Sequence, residues 1–511
     1  MEPYDAFHAI DPFAAAASAF DRLTEVLAGP ESAALSHHGL EDLIEVRGRE
    51  LLRLLFQAHL DWRERQERDR TGQAGREVVR GVDGRVRPHR EPGHSRRLAC
   101  VFGTVTVTRT AWRGRSMTSV RPLDAYLSLP AGLHSHGLRR LAVAEAVRGS
   151  YDQAKEAIEG RCGKVLGKRQ AECLVVAAAR DIDSFYRQRV PLPATASTTL
   201  VLQVDGKGIA MRPEALRAAR DVEGAPEHPA GDAHPARSGR EAAPQADGHA
   251  GLRFDADPAP RRPHDIIAPP NARSGTRLPR PGPKARAKWL TGSVIHPPEH
   301  TIAAAFDQAE ARDRDHARPW VVLVDGARHQ LDLVQAEAGR RGVTVHALLD
   351  IVHVSEYIWA AAHCFHQAGT PAAEVWVAGH LTTILHGQAG RAAAEITAQA
   401  EHRGLLGAKR EATDTCVRYL TGHLDQLHYD TALAKGWPIA TGPIEGACRH
   451  LIGDRLEITG ARWGLYGAEA VLKLRAVKDN GDLDAYFAYH LAREHQRLYL
   501  TTEQHDYDLL A

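Results

Sequence analysis

Two short apolar segments end in the same way, with an aspartate followed at once by a glycine. Residues 200–206 read LVLQVDG and residues 320–326 read WVVLVDG. Nearly continuous apolar runs of this length predict strands that are buried on both faces of a sheet. A carboxylate at the end of a buried strand costs free energy unless something compensates its charge. Asp205 and Asp325 are therefore interpreted either as turn caps or as metal ligands.

The chain around these segments alternates between strand and helix patterns. Over residues 288–354 three strand-like segments are separated by two helical ones, which predicts an α/β sheet. A long helical region is expected over 352–435. After it, Pro443 lies in the first turn of a predicted helix, and Glu445 lies in the same turn.

The first 190 residues predict a different, mostly helical region. Residues 12–65 have helical periodicity, and a basic segment then leads into an alternating Thr/Val stretch, which predicts one arm of a β-hairpin. Over 136–190 a short helix, a glycine-containing turn and a second helix give a helix-turn-helix outline. Four basic residues near the second helix would suit DNA contact: Arg161, Lys164, Lys168 and Arg169. An ordinary helical hairpin explains the same pattern.

The composition excludes several classes of protein. The formal net charge of the 511-residue chain is +1, so no global basic field indicates nucleic acid. Six cysteines are scattered without a C-x-x-C pair, which argues against a disulfide framework or a zinc cluster. The chain shows no signal peptide and no apolar run long enough for a membrane span, so we expect a soluble cytoplasmic protein.

One region breaks the pattern of ordered elements. Residues 213–283 contain 13 of the 28 prolines, are rich in Ala, Gly, Arg and Asp, and show no periodicity. This composition predicts a disordered or irregular insertion directly after a buried strand. So long an irregular segment is unusual inside a compact domain.

Asp205, Asp325 and Glu445 form the set of acids that two-metal phosphoryl transfer requires. Carboxylates hold two Mg²⁺ ions roughly 4 Å apart, and Mg²⁺ prefers hard oxygen ligands. Two of these acids follow predicted buried strands, and the third opens a helix. The set alone is weak support, because the chain has 64 acidic residues.

Four motifs together resemble a known family. VDGKG, WVVLVDGARHQL, LLDIVHVSEYIW and GPIEGACRHLIGDRLEITGARW are similar to the DDE transposases of bacterial insertion sequences of the ISKra group, distant relatives of the Mutator-like transposases. The resemblance runs from about 85 to about 495. It implies an RNase H-like catalytic domain that cuts and joins DNA ends with two Mg²⁺ ions (or Mn²⁺), with Asp205, Asp325 and Glu445 as catalytic acids and metal ligands.

The resemblance also implies a domain order and partners. The expected parts are an N-terminal helical region (1–82), a basic segment with a hairpin (83–135), a helix-turn-helix-like region (136–192), the catalytic domain (193–495) and a C-terminal tail (496–511). The partners would be the terminal repeats and target DNA, bound by a homodimer on paired ends and associated with the nucleoid. No membrane partner is expected.

Further residues follow from the motifs. Asp350 and His353 resemble the Cys/Asp-x-x-His signature of Mutator-like enzymes, and Asp350 is an alternative to Asp325 as the second acid. We favour Asp325 because its strand-then-turn form repeats that of Asp205. Arg455, Arg462 and Trp463 are expected either to grip the phosphate backbone or a flipped base, or to pack at a helix end.

Residues 220–253 prompt a separate hypothesis. The family has a basic-then-apolar strand beside the first acid, and this chain has GREAAPQADGHAGLR there. With suitable codons, the same nucleotides read one position out of frame encode such a basic-then-apolar segment. A translated frame shift would leave the strand beside Asp205 unformed and the copy impaired.

Two other functions remain open on the sequence alone. A stand-alone Mg²⁺-dependent nuclease would need the same acids but no end-recognition module. A catalytically impaired relic would bind DNA without cutting it.

Overall fold

The structure of the protein is a computed structural model. It describes residues 11–73, 79–189, 197–212, 245–268, 278–458 and 460–500, with the single positions 191, 195 and 214. The chain divides into two compact units, Met1–Phe185 with Leu483–Ala511, and Tyr186–Asp482. The sequence placed the end of the catalytic domain at 495, but that position falls inside a helix, Leu483–Tyr499, of the first unit.

The first unit is mostly helical. Its helices are α1 (Ala14–Ala28), α2 (Pro30–Ala33), α3 (His37–Gln73), α4 (Pro122–Tyr126), α5 (His136–Ala146), α6 (Tyr151–Cys162), α7 (Lys168–Ala178) and the C-terminal α20 (Leu483–Tyr499). A further helix, α8 (Ile182–Gln188), crosses the boundary between the units. The strands of this unit are β1 (Val79–Arg80), β2 (Val86–Arg87), β3 (His89–Cys100) and β4 (Gly103–Arg113).

The predicted hairpin is present as the antiparallel pair β3–β4, in which Leu98 lies opposite Val105. The alternating pattern has its expected consequence, because Val105 and Val107 are buried while Thr104, Thr106 and Thr108 are not. These valines share an apolar cluster with Leu98 and with Leu60 of α3. The long helix α3 is therefore the support on which the hairpin packs.

Helices α6 and α7 follow the predicted order of helix, short turn and helix. Ser150 begins α6 with a capping box, since its hydroxyl accepts from the Gln153 amide at 3.2 Å and the Gln153 side chain accepts from the Ser150 amide at 2.9 Å. Gly163 ends α6 with a φ of +77°, a conformation that favours glycine.

The second unit is built on a five-stranded mixed sheet, which confirms the predicted α/β class. Its strands are β5 (Thr199–Ala210), β6 (Gln245–Ala256), β7 (Ala285–Ser293), β8 (Trp320–Val324) and β9 (Val345–Leu349). The order across the sheet is β7-β6-β5-β8-β9. β5, β8 and β9 are parallel, whereas β6 is antiparallel to both of its neighbours.

The strand β6 corrects the expectation of an irregular segment over 213–283. Residues 245–256 form a full strand that pairs with β5 on one side and β7 on the other, with Asp205 opposite Ala250. Leu252 and Phe254 are buried. The structural half of the frame-shift hypothesis, which left this position without a strand, is therefore wrong. Residues 215–244 and 269–277 lie outside the described residues.

Helices surround the sheet and continue along the chain. They are α9 (Pro263–Ile266), α10 (Pro298–Arg312), α11 (Arg328–Arg341), α12 (Ile351–Phe365), α13 (Pro371–Leu385), α14 (Ala389–His402), α15 (Gly407–Gly422), α16 (Tyr429–Lys435), α17 (Gly442–Cys448), α18 (Asp454–Leu456) and α19 (Leu465–Asp479). A 3₁₀ turn covers Leu424–Gln426, and a π-helical turn covers Arg449–Gly453. Within the described residues, no helix has both the length and the apolar character needed to cross a membrane.

Candidate active site

Three aspartates lie at one level of the sheet. Asp325 and Asp350 directly follow β8 and β9, whereas Asp205 lies within β5, which continues to Ala210 and does not turn after the acid as the sequence predicted. β5 and β8 pair with Gln203 opposite Leu323, so the same register carried two residues further sets Asp205 opposite Asp325. β8 and β9 pair with Val324 opposite Leu349, and the next step sets Asp325 opposite Asp350. Neighbouring strands are about 4.8 Å apart. The register therefore brings acids that are far apart in sequence to one edge.

Asp205 is half-buried, and its surroundings are set by the strand and by helix α17. Its Oδ1 accepts a hydrogen bond from the Gly206 amide at 2.8 Å. The Cys448 thiol lies against its carboxylate, and burial, together with the charge of Asp205, raises the pKa of that thiol far above its usual range. Cys448 is therefore a neutral neighbour of Asp205.

Asp325 is the first residue beyond β8, and its side chain is exposed. Its Oδ1 accepts from the Ala327 amide at 3.0 Å. The turn continues through Gly326, whose φ of +103° suits only glycine, and where an added Cβ would lie 2.9 Å from the Tyr419 hydroxyl oxygen. Gly326 is thus required both by the backbone conformation of the turn and by the close approach of Tyr419.

Side chains of the helical segment 351–435 bind the main chain at this edge. The Tyr419 hydroxyl donates to the Asp325 carbonyl at 2.9 Å, and His423 Nε2 lies 3.0 Å from the Gly326 carbonyl. The Tyr429 hydroxyl donates to the Leu349 carbonyl at 2.9 Å, next to Asp350. Main-chain carbonyls at the ends of strands lack a donor from a neighbouring strand, so they need hydrogen bonds from side chains such as these. The helical segment therefore fixes the strand ends that carry two of the acids.

Glu445 reaches the same edge because α17 is docked on β5 through Gln203. The Gln203 side chain is fully buried, accepts from the Ile444 amide at 3.0 Å and donates to the Ala440 carbonyl at 3.3 Å. Glu445 lies in the first turn of α17 and is exposed. The helix continues into the π-helical turn 449–453, a feature that is frequent at functional sites.

Asp350 is 1% exposed and has structural partners on both of its oxygens. It is the N-cap of α12, where its Oδ1 accepts from the Val352 amide at 3.0 Å. Its Oδ2 lies 2.5 Å from the Thr441 hydroxyl, which is also 2.8 Å from Glu445 Oε1. His353 pairs with Glu356 at 3.0 Å rather than with Asp350. Asp350 is therefore enclosed, while Asp325 faces solvent.

The donor set suits Mg²⁺, since Asp205, Asp325 and Glu445 offer carboxylate oxygens at one edge of a rigid sheet. One oxygen of Asp205 and one of Asp325 each accept from a main-chain amide, and Glu445 Oε1 lies 2.8 Å from the Thr441 hydroxyl. The ligand atoms of the three acids do not all lie within 4.8 Å of one another among the described residues.

A closely spaced group of side chains that could ligate a metal lies in the first unit, and it consists of other residues. Ligand atoms of Asp181, His490 and Glu494 lie within 4.8 Å of one another. Arg497 occupies both oxygens of Asp181, at 2.7 and 2.8 Å, and His490 Nδ1 lies at 2.6 Å from one of them. A guanidinium already neutralises this carboxylate, so the group is an ion-pair network that fastens α20.

The predicted DNA-contacting residues of the first unit are on its surface. Arg161 lies in the last turn of α6, Lys164 in the following turn, and Lys168 and Arg169 at the start of α7. All four are exposed. Lys168 forms an ion pair with Asp152 at 2.6 Å.

Two of the other predicted DNA contacts are placed differently. Arg455 is 2% exposed and Trp463 is 6% exposed, with the guanidinium 4.6 Å from the centre of the indole ring. The indole also donates to the Leu456 carbonyl at 2.9 Å. Both side chains are therefore packed inside the protein, which favours the packing interpretation over direct contact with DNA. Arg462 alone of the three is exposed.

Several site residues were missed at the level of sequence. Gln203 interrupts an apolar strand, and a buried polar residue there was a signal for docking. Tyr419 lies in α15 and His423 directly follows the end of that helix, and no sequence motif marked either residue.

Comparison with known protein families finds no family model that matches this chain. No curated protein matches it either. The resemblance to ISKra transposases consequently rests on the quoted motifs, and the geometry of the acids is independent of it.

Proposed function

We propose that this chain is a DNA transposase that cleaves insertion-sequence ends and joins them to target DNA. The observation that carries the proposal is the register that sets Asp205 opposite Asp325 at the carboxyl edge of parallel strands. Glu445 is held toward the same edge by the docking of α17 on Gln203. Acids carried by two neighbouring strands and one helix are a set that can hold the two metal ions of phosphoryl transfer.

The topology supports an RNase H-like catalytic unit. In such a sheet the second strand of the chain lies beside the first and runs against it, and the later strands extend the other side in parallel. Here β6 is antiparallel to β5, and β8 and β9 follow in parallel. The helical segment 351–435 is then an insertion between the second and third acids.

The chemistry follows from the positions of these groups. Mg²⁺, when bound, would activate the attacking oxygen and stabilise the leaving oxygen of an in-line displacement. Water attack on a phosphodiester forms a P–O bond to the water oxygen and breaks the bond from phosphorus to the 3′ oxygen, which leaves a 3′-hydroxyl on the element end and a 5′-phosphate on the flanking DNA. Attack of that hydroxyl on target DNA then exchanges one phosphodiester for another, with release of a target 3′-hydroxyl. Asp205, Asp325 and Glu445 would hold the metal ions, and the sheet would keep the three acids fixed.

Recognition of the element ends is assigned to the first unit. The exposed cations on α6 and α7 are suited to phosphate contacts and to major-groove entry by α7. Two ends must be joined, so we propose that two copies act together on paired ends.

Product analysis tests the proposal. The full chain is incubated with Mg²⁺, a labelled duplex carrying the DNA that flanks this gene, and a plasmid target. Labelled DNA joined to the plasmid supports a transposase. Hydrolysis without joining would indicate a nuclease, and binding without cleavage would indicate an impaired relic.

A further inference from the structure

The Thr441 hydroxyl connects a buried carboxylate to an exposed one. It lies 2.5 Å from Asp350 Oδ2 and 2.8 Å from Glu445 Oε1. Thr441 is itself 6% exposed and precedes the first turn of α17. Both neighbours are hydrogen-bond acceptors when ionised, and one hydroxyl carries one proton. The three oxygens therefore share a single O–H.

The Thr441 hydroxyl donates its proton to the buried partner, Asp350, in preference to Glu445. Asp350 is 1% exposed, so water cannot replace the hydroxyl, and an unsatisfied buried carboxylate oxygen is costly. Glu445 is exposed and can turn toward solvent. When the hydroxyl donates to Asp350, its lone pairs face Glu445 Oε1. A cation bound to the other oxygen of Glu445 would reduce the repulsion between the hydroxyl lone pairs and Oε1.

Resting on the function proposed above, we infer that Asp350 and Thr441 are positioning residues for Glu445 and not metal ligands. Asp350 accepts the hydroxyl proton, so the hydroxyl lone pairs repel Glu445 Oε1 and turn that carboxylate toward the edge that carries Asp205 and Asp325. This assigns a role to the aspartate of the Asp-x-x-His motif that does not require it to touch the metal. The partners of a ligand commonly contribute ten- to hundredfold to metal affinity or activity.

Mn²⁺ binding to the full chain, measured by calorimetry without DNA, tests the inference. Thr441→Val removes the hydroxyl at nearly constant volume, and the dissociation constant should rise about ten- to hundredfold. Thr441→Ser keeps the hydroxyl and should bind within a few-fold of wild type. Thr413→Val is the matched control, because Thr413 is also buried but its hydroxyl donates only to main-chain carbonyls of α15.

A second variant tests the inference even if Thr441→Val does not fold. In Asp350→Asn the amide donates to Thr441, so the hydroxyl is directed onto Glu445 and should hold it away from the metal. Mn²⁺ binding should weaken in this variant too, at an unfolding temperature shared with wild type.

The outcomes separate this inference from the proposed function. If Asp205→Asn abolishes Mn²⁺ binding but Thr441→Val and Asp350→Asn bind as wild type does, the positioning role is overturned and the site stands. If Asp205→Asn binds Mn²⁺ as wild type does, the metal site itself is overturned and the inference falls with it.

Discussion

Asp205 and Asp325 lie opposite each other on neighbouring parallel strands when the β5–β8 register is carried to the strand ends. The first follows Val204 within a strand that continues, and the second is the first residue after β8. Asp205 is therefore held by its pairing with Ala250 of β6, whereas Asp325 depends on the turn that follows it. This difference determines where substitutions should act.

The turn at Asp325 should depend on the Tyr419 hydroxyl. Tyr419→Phe removes the donor to the Asp325 carbonyl and should lower the free energy of unfolding by about 1 kcal/mol. Displacement of Asp325 by a fraction of an ångström should slow cleavage about ten- to hundredfold. Tyr357→Phe is the control, since Tyr357 stacks on Tyr419 with ring centres 3.9 Å apart and keeps that contact without its hydroxyl. Equal cleavage rates for the two variants would contradict the role of the hydroxyl.

The strand β6 should contribute to stability as an ordinary core strand. Leu252 is 1% exposed, and Leu252→Ala should reduce the free energy of unfolding by about 2–5 kcal/mol in denaturant titrations. Asp247→Ala, at an exposed position of the same strand, should change it by less than about 0.5 kcal/mol. A small effect of Leu252→Ala would restore the idea of an irregular segment beside Asp205.

The ion pairs of Asp181 predict a pH dependence of stability. Burial opposes ionisation, but the hydrogen bonds from His490 and Arg497 outweigh it and hold the pKa of Asp181 well below its usual range. A lowered pKa stabilises the fold above the unfolded-state value of about 3.9 and loses that contribution as pH falls further. Asp181→Asn should therefore cost about 3–5 kcal/mol at pH 7 and progressively less below about pH 4. Chemical denaturation across pH measures this, with the exposed Glu25→Gln as control. A pH-independent cost would contradict the assignment.

DNA binding by the first unit should depend steeply on salt. Arg169→Ala should weaken binding of end DNA and reduce the log–log salt slope by about one, as loss of one phosphate contact requires. The exposed Arg314→Ala in the second unit is the matched control and should change neither. Fluorescence anisotropy of the full chain is the appropriate measurement, because a fragment of residues 1–190 would lack α20 of the same unit. Identical slopes for wild type and Arg169→Ala would remove this residue from the interface.

The local helices and strands could be predicted from the sequence, but the contacts between residues that are distant in sequence could not. Asp205, Asp325 and Glu445 were found because each has a local signature, either a strand followed by a turn or the first turn of a helix. The register that aligns the two aspartates is a property of strand pairing and cannot be read from either segment. Tyr419 bonds to a carbonyl that is distant in sequence, so nothing near it indicated the contact.

Burial was the other quantity that the sequence did not provide. The sequence of β6 contains two glycines and two aspartates, which are poor strand formers, and pairing with the strands on both sides overrides that preference. The alternation of Ala250, Leu252, Phe254 and Ala256 was the signal that could have identified it. Arginine and tryptophan are residue types that often contact DNA, but Arg455 and Trp463 pack against each other inside the unit.

The most direct test of the central claim is single-turnover cleavage of a labelled duplex that carries the DNA flanking this gene. Wild type should cleave with Mg²⁺ and stop when the metal is chelated. Asp205→Asn, Asp325→Asn and Glu445→Gln should each slow cleavage by about a thousandfold or more, since a metal clamp supplies several kcal/mol. Asp332→Asn, at an exposed position of α11, should cleave as wild type does. Cleavage without metal, no cleavage by wild type, or wild-type rates in any of the three acid variants would contradict the account.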